Sequence, residues 1–397
     1  MILQRFTPAA TAAMLMVGVV AGMIPALQGL LLPELARTGQ LTLPQLGQVA
    51  MAEAVGTLLA IAAANARLRT HRLKLFAVCV ALMGASIDLA TPHLSGAGII
   101  GARFLHGLCS GSLLWMWTSF LTRTANPGRL VAFDVAVQAS MIAGLASWFS
   151  ISIIPDYGVA GAFTVFAAVY GAIAFLARLI PNEFDPLPGH SGTVKPTVTG
   201  FVGLVVVFAL VSAIVGTWVY LKPYGEKIGI TAEETNFAIA VALGCKVGAS
   251  LLMTLIAGWL RPTRTLLCLA GASVATLLFL LNVESSALFI AGIAVFAFVW
   301  MCTTPMLMPF LIEIDPTRRS AIHIGTAQLL GAASGPGLAS IAVGAGDAST
   351  ALMLTASLYG LGGLVVLLTM WRQSESAASA RLAAAASPPA GAGRGSA

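Results

Sequence analysis

Long apolar runs recur along the chain, separated by short polar segments carrying Pro, Gly and Arg. A helix that crosses a bilayer uses roughly 20 mainly apolar residues. On that measure, with Pro, Gly and charge as punctuation, spans fall near residues 11–32, 45–65, 73–91, 97–120, 130–153 and 160–180. A polar, Pro-rich interval from Pro181 to Pro196 follows, and then six more spans near 198–221, 235–260, 265–283, 286–309, 320–343 and 350–371. The pattern predicts an all-α integral membrane protein with twelve transmembrane helices. Its expected parts are an N-terminal six-helix bundle (1–180), a cytoplasmic linker (181–197), a C-terminal six-helix bundle (198–373) and a tail (374–397). The tail is Ala, Ser, Pro and Gly with few bulky groups, which predicts disorder.

Composition agrees with the pattern. Of 397 residues, 58% are hydrophobic and 9% charged, with a mean hydropathy of +0.92, against about a quarter charged in a soluble domain. A water-soluble globule is excluded. The net charge of +6 falls in short clusters between apolar runs, so no basic patch for nucleic acid is formed. The first run is longer than a signal-peptide core and is followed by many others, which reads as a first span. All five cysteines sit inside apolar runs with no ligand spacing, so neither a disulfide framework nor a zinc site is expected.

Charge placement sets orientation. With the N-terminus in the cytoplasm, sixteen of the 21 Lys and Arg residues fall on the cytoplasmic side; Arg37, Lys222 and Lys227 fall outside, and Arg103 and Lys246 lie within spans. Both termini are therefore expected in the cytoplasm, with the chain in the inner (cytoplasmic) membrane.

The two sets of six retain a trace of duplication. Asn126-Pro127-Gly128-Arg129 through Asp134 lies over Asp315-Pro316-Thr317-Arg318 through His323 without a gap, at the entrances to spans 5 and 11. A weaker alignment sets Glu53 to Leu59 over Lys246 to Leu252, on spans 2 and 8. In span 4, Ile99-x-x-x-Arg103-x-x-His106-Gly107-x-x-x-Gly111 puts two glycines one turn apart, a surface that lets a neighbouring helix come close beside the Arg.

These halves and this motif resemble the major facilitator superfamily of transporters, over about Thr11 to Trp371. The resemblance implies two pseudo-symmetric six-helix bundles and a part for Arg103 in proton coupling. It also puts spans 2 and 11 side by side, and spans 5 and 8, so that Glu53 would approach span 11 and Lys246 would approach span 5. Three features depart from the family pattern. His106 stands where a polar residue usually precedes the glycine, the Asn65–Lys74 loop keeps only its basic residues, and Gly331 to Gly337 places a Gly-Pro run on span 11 rather than span 5.

Charges inside a bilayer are costly and usually face a cavity or a partner. Glu53 is a buried carboxylate suited to taking a proton from one side and releasing it on the other, or to a static ion pair. Lys246 can bind an anionic group or neutralise an acid such as Asp134. Asp134 and His323 lie about one turn inside their spans, and His106 is close enough to Arg103 to share a hydrogen-bond network. Gln28, Gln138 and Gln328 are suited to orienting a ligand or bonding a neighbouring helix, and Trp300, mid-span beside Pro305, to lining a cavity.

No Walker loop, His-rich motif or nucleophile elbow is present, and no two acids pair on an inner face, so an enzyme, a metal site and a bound cofactor are not expected. The expected function is secondary active transport of a small organic solute, favouring an organic anion, driven by protons. The expected partners are the solute, protons and the bilayer, with no nucleic acid, and the expected state is a monomer. Two alternatives stay open: a proton-coupled exporter of amphipathic or cationic compounds recognised by Glu53, and a non-transporting sensor on the same fold.

Overall fold

A computed structural model describes residues 6–67, 72–121, 123–124, 127–184, 195–344 and 346–386. The described chain is built of helices: α1 (Pro8–Arg37), α2 (Leu43–Arg67), α3 (Leu73–Ala90), α4 (Ala97–Leu121), α5 (Pro127–Trp148), α6 (Ile154–Leu176), α7 (Val198–Lys227), α8 (Ala232–Ile256), α9 (Pro262–Leu280), α10 (Ser286–Thr303), α11 (Leu307–Ile314), α12 (Ile324–Val343) and α13 (Ala348–Ala386). Among the described residues, ten helical stretches are long and apolar enough to cross a membrane. One of them, Phe133–Leu176, runs for 44 residues, about twice what a single crossing needs. It joins α5 to α6 through a π-helical stretch, Phe149–Ile153, and is interrupted at Gly158, whose φ of 65° breaks the helix. Helix α12, with 20 residues, is not among the ten.

The duplication is visible in the element lengths. Helices α1 and α7 both have 30 residues, and each starts at a threonine cap, Thr7 accepting from Ala10 N–H and Thr197 from Gly200 N–H. Helices α2 and α8 both have 25 residues. Their starts, Leu43 and Ala232, set Glu53 opposite Ala242 and Lys246 opposite Thr57. The weaker sequence alignment of Glu53 with Lys246 is therefore displaced by about one turn, because apolar residues match in several registers. Helices before residue 185 pack chiefly on one another (α2 on α4, α3 on α6), as do those after 195 (α7 on α12 and α13, α8 on α10), and α2–α12, α5–α8 and α1–α7 join the two halves.

The end carrying the α1–α2 and α7–α8 connections is called upper here, and that carrying Arg72 and Lys195 lower. Two span ends differ from expectation. Helices α1 and α7 run on to Arg37 and Lys227, which places Glu34 and Lys222 in helix rather than in loops. Helix α13 continues past Ser374 to Ala386, where a disordered tail is expected; Ala and Arg are strong helix formers. Residues 387–397, most of the 181–197 linker and residues 68–71, with Arg69, lie outside the described residues.

Candidate functional site

Four ionisable side chains from three helices meet in the first half, each at most 1% exposed: Glu53 (α2), Asp88 (α3), Arg103 and His106 (α4). Helix α4 reaches α2 closely because Gly107 lies on the Glu53 backbone, where a Cβ would come within 2.9 Å of the Glu53 carbonyl carbon; Gly111 and Gly56 are similarly pressed. The close approach brings the Arg103 fork onto both acids. Nε donates to Glu53 Oε2 (3.1 Å), Nη2 to Glu53 Oε1 (2.8 Å) and Nη1 to Asp88 Oδ1 (2.8 Å). Gln28 of α1 donates to Glu53 Oε2 at 2.8 Å.

His106 is the ambiguous member. Its Nδ1 lies 3.1 Å from both Arg103 Nη2, a donor, and Glu53 Oε1, an acceptor, and its Nε2 lies 3.5 Å from Asp88 Oδ2. Both Nε2 and that Oδ2 are otherwise without a hydrogen-bond partner. A neutral ring accepts from Arg103 at Nδ1 and leaves the four groups with one net negative charge. An imidazolium turns Nδ1–H to Glu53 and makes them neutral. Two arrangements thus share one set of atomic positions, differing by one proton.

Sequence reasoning expected His106 to join Arg103, and it does. Glu53, expected near the span that is α12, instead faces α4 and α1. Arg103 has its donors committed to Glu53, Asp88 and His106. Asp88 was missed; it lies three residues from the expected end of its span, where a carboxylate ordinarily reaches water.

A second set of residues lies along α1. Lys246 (α8) is 8% exposed. Its Nζ sits 3.5 Å from the Trp300 ring centroid and 5.6 Å from that of Trp218, and the two indoles meet edge to face at 5.5 Å. No acid lies within ion-pair distance of it among the described residues. Pairing with Asp134 is thus corrected: aromatic faces stabilise the ammonium and leave its N–H groups available. Asp134 (α5) is 3% exposed. It faces the Trp117 indole, but Asp134 Oδ1 and Trp117 Nε1 both lack a hydrogen-bond partner. Gln138, one turn on, donates to the Val19 carbonyl at 3.3 Å.

These residues share one stripe of α1. Trp117 covers Gly18, Gln138 covers Gly22, and Trp218 covers Gly29 while donating to the Ala26 carbonyl at 3.0 Å. Residues 18, 22, 26 and 29 recur at helical spacing and lie on one face. Trp300 was expected as cavity lining; Trp117 and Trp218 were not singled out. Half-buried Gln328 lies on α12. His323 lies away from this stripe, lining a lateral cleft with Phe201, Leu204 and Phe208.

At the upper end the halves are clamped. Lys222 (α7), fully buried, donates to Glu34 of α1 and to Asn236 Oδ1 of α8 at 2.5 Å, and Arg37 Nε also meets Glu34 at 2.8 Å. Tyr220 accepts from Gly47 N–H, and Ser340 donates to the Pro44 carbonyl at 2.7 Å. These bonds, with those of Ser150 to Asn236 and Trp218 to Ala26, lie from the middle of α1 upward.

No protein-family model and no curated protein matches this sequence. Solved structures match its fold. A variant of the nucleoside transporter NupG superposes with a TM-score of 0.71 at 10% identity, over 91% of this chain and 99% of that one. FucP, a major facilitator superfamily transporter in its outward conformation, gives 0.61 at 15% identity over 90% and 98%. A proton-dependent oligopeptide family transporter gives 0.67 at 12% identity over 91% and 99%.

Proposed function

We propose that this chain, which has the fold of major facilitator superfamily transporters, is itself a secondary active transporter of a small organic solute and not an enzyme. The observation that carries this reading is the clamp of the two six-helix halves at the upper end, built on buried Lys222, Glu34 and Asn236. Two bodies joined by such a clamp can open there and close at the other end by rocking, which is how a fold of two repeats alternates access to a central site. The proposed topology has twelve crossings, with α5 and α6 as two and α10 with α11 as one. The lower, basic end faces the cytoplasm, the membrane is the cytoplasmic one, and the protein acts as a monomer.

Protons drive the cycle through the Glu53, Asp88, Arg103 and His106 cluster. A proton bound at His106 Nδ1 is donated in a hydrogen bond to Glu53 Oε1, and the buried group passes from net negative to neutral. A net buried charge is expensive, so the two protonation states favour different degrees of closure around α4. Lys246 meets the anionic group of the solute. Recognition of a cationic drug by Glu53 is not favoured, since that carboxylate is occupied by Arg103, Gln28 and His106. Proteoliposomes with an imposed pH gradient test the reading: accumulation of a labelled solute is expected and requires His106, with His106→Gln retaining exchange but losing accumulation. Absence of any solute flux from well-folded protein would leave the sensor alternative.

A further inference from the structure

Beside α1 lie two buried ionisable groups of opposite sign, and among the described residues neither has an ionic partner within reach. Asp134 is on α5 in the first half and Lys246 on α8 in the second. Both are more than nine-tenths buried, and α5 packs on α8. They do not reach each other within ion-pair distance, and Asp134 Oδ1 has no hydrogen-bond partner. An uncompensated buried charge is a standing cost, and a buried pair of this kind is stable only if something completes it. Both groups border the same stripe of α1, through Trp117 and Gln138 at Gly18 and Gly22 and through Trp218 at Gly29. Gly18 and Gly29 are about 16 Å apart along the helix axis at 1.5 Å per residue, which is the axial spacing of the Trp117 and Trp218 contacts on α1.

We infer that the solute is a zwitterion whose cationic and anionic groups are separated by several bonds: its ammonium is taken by Asp134 with Gln138 beside it, and its carboxylate by Lys246 against the Trp218 and Trp300 rings. This rests on the transporter reading and narrows it, because the anionic group assigned to Lys246 becomes one end of a molecule whose other end is basic. Such a solute neutralises one orphan charge in each half at once. A solute carrying only one charge leaves the opposite orphan exposed to its own field, so binding discriminates against it as well as for the zwitterion. The two halves are then bridged across α1 by the ligand itself, below the Glu34, Lys222 and Asn236 clamp.

The test uses the full chain in proteoliposomes and a defined probe set: 4-aminobutanoate, 6-aminohexanoate, 8-aminooctanoate, dialanine and trialanine, each beside its N-acetyl and methyl-ester derivatives. Thermal stabilisation reads binding and counterflow reads transport. At least one zwitterion is expected to stabilise the protein and drive counterflow, with both of its blocked derivatives at least tenfold weaker. This comparison needs no variant. Asp134→Asn should then remove the preference for the zwitterion over its N-acetyl derivative, and Lys246→Gln the preference over its methyl ester. N-acetyl anions that bind and exchange as well as their parents would overturn the zwitterion while keeping a transporter of anions; equal exchange of the esters would overturn it in favour of cations. Failure of every zwitterion to bind also overturns it, and failure of all three classes to exchange removes support for transport as well.

Discussion

Glu34→Gln should loosen the upper end by a predictable amount. In the folded protein Lys222 Nζ is fully buried, bonded to Glu34 and to Asn236, with Glu226 Oε1 at 4.0 Å. Stripping one partner from a buried ion pair costs about 3–5 kcal/mol when the remaining charge is left alone. Here Asn236 and Glu226 still face the ammonium, so about 2–3 kcal/mol is the appropriate loss. The cost falls on the upper-closed state, because opening lets water reach Lys222. At 1.4 kcal/mol per tenfold, the upper-open population rises by roughly 30- to 140-fold. The assay is reaction of an impermeant maleimide with a cysteine placed at Ser150, which faces Asn236 across the closed end, in a background lacking the five native cysteines. The rate should rise by a similar factor, up to saturation. Adding Lys222→Met to Glu34→Gln removes the stranded charge and should return most of the closure, since an apolar replacement of a buried pair is often neutral. An unchanged rate in the single variant, or a double variant looser than the single, would refute the account of the clamp.

Other outcomes follow from geometry described above. Gly107→Ala drives a methyl group into the Glu53 backbone and should lower the unfolding temperature of the purified protein by an amount corresponding to about 1–3 kcal/mol, whereas Gly101→Ala on the same helix, which meets nothing within 4 Å, should not. His106→Gln should leave solute exchange intact and abolish its dependence on a pH gradient, measured in the same vesicles. Asp315, in the connection after α11, is an acid-sensitive point. Burial opposes its ionisation, but hydrogen bonds from Thr317 and Ser320 prevail and hold the carboxyl at about 2, below its ordinary 3.8. Its stabilising contribution is therefore complete above about pH 4 and lost as the pH falls through 2. Asp315→Asn should lower the melting temperature at pH 7, and the gap to the unaltered protein should close on acidification.

The architecture was legible because membrane helices announce themselves by length and apolarity, and a duplicated chain repeats its caps and spacings. The first duplication match, Asn126 over Asp315, has the same offset as the starts of α2 and α8. The Arg103 and His106 contact was legible for a local reason, since residues one turn apart on a helix are neighbours. What was not legible needed three dimensions. Asp88 and Glu34 sit near span ends, where sequence cannot separate a carboxylate reaching water from one turned inward. Which face of α2 carries Glu53 was decided by Gly107 and Gly56 admitting α4, not by the order of helices. Lys246 lacks an acid because two indoles from α7 and α10 occupy its surroundings, and nothing local to position 246 encodes them.

Gln28 occupies an unusual place between two sets of residues. It binds Glu53 of the ionisable cluster, while its neighbours on α1, Ala26 and Gly29, are held against Trp218 beside Lys246. Among the described residues it is the one side chain of α1 bonded to that cluster. In the proposed cycle the energy of the gradient must pass from one set to the other through α1, and this amide is the direct contact that can carry it. A protein with Gln28 shortened to an apolar side chain would retain both sites and still lose its grip between them. Solute and protons would then move separately, and the membrane would discharge its gradient with no accumulation in return.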